Sequence, residues 1–121
     1  MVFSLRHTQV VMDECLVDVL TCKGEIDIYT SPRLKEKAQV LLDDEDVELI
    51  ELDIRGVRYI DSTGLATMLN IHKQASLLKS SAGGFRIRIG TLNPLIRRIF
   101  NVTGLKKKFV LDHSTTGRFP E

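Results

Sequence analysis

The sequence has no tryptophan, two cysteines and three prolines, and its 17 basic residues nearly balance its 16 acidic ones. Each shortage excludes something. Two cysteines cannot staple a small secreted scaffold. Cys15 and Cys22 are seven apart, and an odd spacing along a strand puts them on opposite faces, so free thiols are expected. A net charge of +1 lacks the basic excess of a generic nucleic-acid or membrane-surface binder. No apolar run approaches the ~20 residues of a membrane helix. Met1 to His7 shows no basic stretch followed by an apolar one, so no signal peptide is expected and the cytoplasm is the expected location. His7, His72 and His113 stand apart, and no spacing suggests a bound metal. Also missing are a Gly-x-Ser-x-Gly elbow, a phosphate-cradling Gly-x-x-x-x-Gly-Lys loop and the clustered glycines of a dinucleotide site. No catalytic residue and no cofactor are therefore assigned.

What remains is 121 residues, 43% apolar and 27% charged, enough for one domain with its own core. Phe3 to Val11 and Cys15 to Cys22 predict an N-terminal hairpin, turning at Met12-Asp13-Glu14. Gly24-Glu25-Ile26-Asp27 is expected to end its second strand. Thr30-Ser31-Pro32 opens a helix over 31–42, with Thr30 or Ser31 as cap and Leu34, Ala38, Leu41 and Leu42 apolar. The acidic run 43–46 reads as a solvated loop. Val47 to Ile54, apolar at nearly every position, predicts a central strand ended by Arg55-Gly56. A helix from Leu65 to Leu78 follows, with Leu65, Met68, Leu69, Ile71, Ala75 and Leu78 apolar and His72 inside that face, as a core or boundary residue rather than a catalytic one. Phe85 to Ile89 alternates as a strand, 91–101 reads as a third helix, and Phe109 to Leu111 as a short last strand. Arg97, Arg98 and Lys106 to Lys108 form a basic cluster, read as a solvated face because no aromatics interleave with it. The fold class is α/β, order ββαβαβαβ, with a mixed, mostly parallel sheet and helices packed against it. Residues 1–112 form the domain and 113–121 a flexible tail.

Between strand and helix lies Tyr59-Ile60-Asp61-Ser62-Thr63-Gly64-Leu65. The Ser62 hydroxyl stands where a helix begins. There, unpaired N–H groups and a partial positive charge suit a phosphate. The same position suits Ser62 or Asp61 as a plain N-cap.

Gly24-Glu25-Ile26-Asp27, Thr30, Leu52-Asp53, then Val57 to Leu65, and the distal Ile99 to Leu105 together resemble the STAS domain, most closely the bacterial anti-sigma factor antagonists. The resemblance spans roughly residues 3 to 112. It implies a partner switch without enzymatic activity. The unphosphorylated antagonist binds an anti-sigma factor that is also a serine kinase, and so frees a sigma factor. The kinase phosphorylates the serine matching Ser62, and a serine phosphatase, itself metal-dependent, resets it. ATP belongs to the kinase. Asp27, Thr30, Asp61, Ser62, Thr63 and Gly64 are the implied partner-binding residues; no nucleic acid or membrane takes part. Ala66 stands where relatives commonly have glycine, and the last amphipathic helix of many relatives is missing. A STAS subunit of a scaffold or transport complex, and an anion or nucleotide sensor without the switch, are the alternative functions.

Overall fold

The computed structural model of the chain describes residues 3–79, 84–90, 98 and 109–112. Five strands form one sheet in sequence order: β1 (Ser4–Met12), β2 (Cys15–Ile26), β3 (Leu49–Ile60), β4 (Phe85–Gly90) and β5 (Phe109–Asp112). β1 and β2 pair antiparallel, and every later pairing is parallel. The mixed, mostly parallel α/β sheet is thus the expected one. Helix α1 (Ser31–Asp43) links β2 to β3, and α2 (Ser62–Leu78) links β3 to β4. The expected third helix, the basic cluster apart from exposed Arg98, and the tail 113–121 lie outside the described residues.

The hairpin turns on Asp13 and Glu14, both at positive φ (52° and 65°). That backbone matches the twist of the flanking strands but favours Asn-Gly, so here the turn is strained. Two elements outrun their sequence reading. β2 continues to Ile26 and β3 to Ile60, because each supplies the other with ladder partners: Lys23 pairs with Gly56, Gly24 with Val57, Ile26 with Ile60. Two register shifts, opposite Thr21–Lys23 and Gly24–Glu25 of β2, each take up one extra residue of β3. Gly24 sits there at φ 100°, which side-chain-bearing residues rarely adopt.

Alternation sorts the sheet into two faces. One packs on both helices. Leu20, Cys22, Ile26, Ile50, Leu52, Ile54, Phe85, Ile87 and Ile89 meet Leu34, Ala38, Leu41 and Leu42 of α1 and Met68, Ile71 and Ala75 of α2. All four apolar residues expected on α1 are buried. On α2 the buried row is Gly64, Met68, Ile71 and Ala75, narrower than expected: Leu65 is half-buried, and Leu69 and Leu78 are exposed at its flanks. His72 is a boundary residue as expected, its ring 5.6 Å from that of Phe85 and its Nδ1 3.3 Å from Ser76 Oγ. The acidic residues 43–46 are exposed.

The opposite face mixes Val17, Val19 and Leu49 with charge. Glu51 is 1% exposed; Arg86 Nε donates to its Oε1 at 2.8 Å, and an Arg88 guanidinium nitrogen lies 3.4 Å from its Oε2. Burial pushes the Glu51 carboxyl above its ordinary value against the pull of Arg88 and Arg86. Arg55 forks onto both oxygens of Asp53 at 3.0 and 2.7 Å. The cysteines divide as expected: both are free, Cys22 in the helix-side core and Cys15 against the opposite cluster. Burial, then the nearby Asp53, pushes the Cys22 thiol up to about 12.

Candidate functional site

The parallel strands β2 and β3 end side by side at Ile26 and Ile60. Two segments leave from there. One is the loop Asp27 to Thr30, which enters α1. The other is Asp61, which enters α2.

Asp61 ties them together. Its Oδ1 accepts from Gly64 N at 2.8 Å, capping α2, and its Oδ2 accepts from Ile28 N at 3.1 Å. Its own N–H donates to Ile26 O at 3.2 Å. One carboxylate therefore satisfies a helix N-terminus and pins the neighbouring loop. Of the two capping options in the sequence, Asp61 is the cap.

The loop is also braced from within. Asp27 Oδ1 accepts from Tyr29 N at 2.9 Å and Thr30 N at 3.0 Å. Thr30 Oγ1 donates to Glu25 O at 2.7 Å and accepts from Asp27 N at 2.9 Å. Thr30 occupies the N-cap position of α1 but makes no side-chain cap there, because its hydroxyl faces back into the loop. Ser31 is buried, and Pro32 fills the first turn. Of the two residues expected at the cap, Thr30 is the N-cap, although its side chain makes no capping bond.

Gly64 explains why α2 starts so close to β2. A Cβ there would overlap the Ile26 carbonyl oxygen and approach Ile26 C and Cγ2 to 2.9 Å. Only glycine lets the helix seat against the strand end.

With Asp61 as cap, the Ser62 side chain is exposed on the first turn. Thr63, the neighbouring hydroxyl, is half-buried and lines a groove of about 220 Å³ between the helices, with Lys35, Gln39, Ala66 and Asn70 among the other walls. Ala66 is exposed and does not enter the core, so its methyl leaves the packing of α2 unaltered and can affect only what approaches the groove. The loop Asp27 to Thr30 and the end of β3, which flank the start of α2, expose Ile28 (58%), Tyr29 (85%) and Tyr59 (47%), apolar surface to which the sequence reading gave no role. The signal for Ile28 and Tyr29 was available: two large apolar residues inside a polar turn, between Asp27 and Thr30. Arg58 and Glu25 pair loosely beside them at 3.8 Å. Asp27, Thr30, Asp61, Ser62, Thr63 and Gly64 are all brought to this one end of the sheet. No group of metal-ligating side chains gathers among the described residues, and no described helix is long and apolar enough to cross a membrane.

Comparison with known proteins concerns the family and the fold. Residues 10–117 match the family model of the STAS domain. The anti-sigma-B factor antagonist of Bacillus subtilis is 35% identical over 83 residues, covering 69% of this chain and 70% of that protein. An anti-sigma factor antagonist from Mycobacterium paratuberculosis superposes with a TM-score of 0.68 at 25% identity, over 92% of this chain and 87% of that one. The Bacillus cell fate determinant SpoIIAA in its phosphorylated form shares the fold, with a TM-score of 0.65 at 18% identity over 95% of both chains. The chain belongs to the STAS domain family, which it shares with anti-sigma factor antagonists such as that of Bacillus subtilis.

Proposed function

We propose that this chain is an anti-sigma factor antagonist acting in the cytoplasm, switched by phosphorylation of Ser62. The observation that carries the reading is the division of labour at the start of α2. Asp61 takes the capping role, so Ser62 keeps an exposed hydroxyl on a turn whose N–H groups and dipole favour negative charge. Unphosphorylated, the surface of Ser62, Ile28, Tyr29 and Tyr59 docks on an anti-sigma factor serine kinase and frees a sigma factor. The docked kinase supplies ATP. Ser62 Oγ attacks the γ-phosphorus, the new O–P bond forms as the bond to the β-phosphate oxygen breaks, ADP leaves, and the hydroxyl proton passes to a base of the kinase. A serine phosphatase later hydrolyses the ester with water, restoring the hydroxyl and releasing phosphate.

The phosphoryl group adds roughly −1.5 to −2 charges. The helix start tolerates it, and the fold survives. A partner seated over Ser62 does not tolerate it, because a dianion beside Asp61 would have to be desolvated. Thr63 is the weaker acceptor, since its side chain is turned into the groove between the helices.

The test is incubation of the full chain with an anti-sigma factor kinase and ATP, followed by intact-mass measurement. One phosphate is expected on the wild type and none on Ser62→Ala. No phosphate on the wild type, or equal phosphate on both, overturns the reading. Ser62→Ala used as bait should hold the kinase in the bound state.

A further inference from the structure

β1 is the outermost strand of the sheet, and its outer side carries no neighbouring strand among the described residues. Open edges of this kind are ordinarily blunted by brevity, bulges, proline or charged side chains. β1 has of these only one charge, the exposed Arg6. It is nine residues long, Ser4 to Met12, and pairs with β2 at every position without a register shift. It contains no proline, glycine or lysine, and it ends in exposed Val10 (39%) and Val11 (72%).

The strand is also complementary to itself. An antiparallel pair of β1 strands related by a two-fold axis through Thr8 engages all nine residues of each. Leu5 then faces Val11, His7 faces Gln9, and Thr8 faces Thr8 of the second copy. Arg6, the one permanently charged side chain of the strand, faces Val10. Two-fold registers centred elsewhere leave residues unpaired, and the one centred on Arg6 sets two guanidiniums against each other. Residues opposite each other in this register lie on the same face of the sheet, so the alternation of both copies is preserved.

We propose that β1 joins a second copy of this chain edge to edge, antiparallel about Thr8, merging two five-stranded sheets into one. The closed two-fold contact uses both outer edges and cannot propagate. It reverses one copy relative to the other, so the two Ser62 sites lie at opposite ends of the joined sheet and both stay open.

Sedimentation of the full chain across about 1 µM to 1 mM tests the proposal, a range set by the affinity expected of a small, partly polar contact. A concentration-dependent dimer is expected. Thr8 is exposed, and Thr8→Lys and Thr8→Glu each place like charges opposite each other across the axis. Each variant alone should dimerise at least tenfold more weakly, and an equimolar mixture of the two should recover the dimer. Val11→Lys, at the exposed end of the strand, should weaken dimerisation as well. Circular dichroism checks that each variant is folded. A wild type that is monomeric throughout, or that dimerises equally well when Thr8 and Val11 are charged, overturns the proposal. In the first case the edge is left for a strand of another protein. In the second, the contact lies elsewhere on the chain.

Discussion

Asp61 and Ser62 are neighbours, yet the carboxylate of the first is held by two backbone N–H groups while the hydroxyl of the second faces solvent. The contrast extends across the site. An inner frame of Asp27, Thr30, Asp61 and Gly64 has its polar groups engaged and its space filled. An outer surface of Ile28, Tyr29, Tyr59 and Ser62 is open. The frame fixes backbone geometry, and in the proposed function the surface is what a partner meets. Changes to the frame should therefore register as stability, and changes to the surface as binding.

The largest effect tests the core on which the frame rests. Cys22 shares that core with Ile26, the residue against which Gly64 seats. Its thiol is raised in the fold from an ordinary 9.0 to about 12, so the unfolded chain loses its proton first. This contribution to stability is complete below pH 9 and is lost as pH rises from 9 toward 12, by about 4 kcal/mol in full. Denaturant unfolding at several alkaline pH values should show a shallower decline in Cys22→Val than in the wild type. Equal slopes would break the assignment.

Next comes the surface. Ser62→Asp should unfold at the same denaturant concentration as the wild type but bind the kinase more than a hundredfold more weakly, a loss of about 3 kcal/mol by calorimetry. Retained tight binding would break the charge argument. Gly64→Ala should do the reverse. Its methyl must displace the Ile26 backbone, costing up to about 3 kcal/mol of stability in chemical denaturation. Tyr29→Ala, at a side chain 85% exposed, should leave stability unchanged and weaken kinase binding by about 2 kcal/mol in titration calorimetry, roughly thirtyfold. The smallest effect is Asp61→Ala, which removes a helix cap and a loop tether. It should cost about 1 kcal/mol in thermal unfolding and raise amide exchange at Ile28 and Gly64. If Asp61→Ala changed affinity and left stability untouched, the line between frame and surface would have to be redrawn.

The sequence made the topology and the position of Ser62 legible, and the apolar surface of Ile28 and Tyr29 and the inner connections much less so. Sequence pattern placed the two described helices and all five strands, because burial on one face imposes a period that local residues display. Ser62 was readable as a helix start from its position between a strand and an apolar helix. The strand ends were not readable. Arg55-Gly56 looks like a break, yet Gly56 keeps a ladder partner in Lys23, thirty-three positions earlier, and no local pattern reports that. The role of Thr30 failed to show for a similar reason. Its type suits a cap, but Glu25 and Asp27 offer its hydroxyl nearer partners within the loop. Asp61 could be guessed as a cap from its place; its second bond, to Ile28, crosses between segments and exists only in the folded chain.

The buried acid of β3 has a further consequence for how the chain finds its alignment. β4 pairs with β3 over four residues only, Ile50 with Phe85 through Asp53 with Arg88, and apolar and charged residues alternate on both strands. A slip of one residue would turn Arg86 and Arg88 into the helix-side core and Phe85 and Ile87 toward Glu51. Glu51 adds little net stability, since burial works against its charge. Its effect is to make every slip by an odd number of residues costly, which favours the observed alignment in a ladder this short.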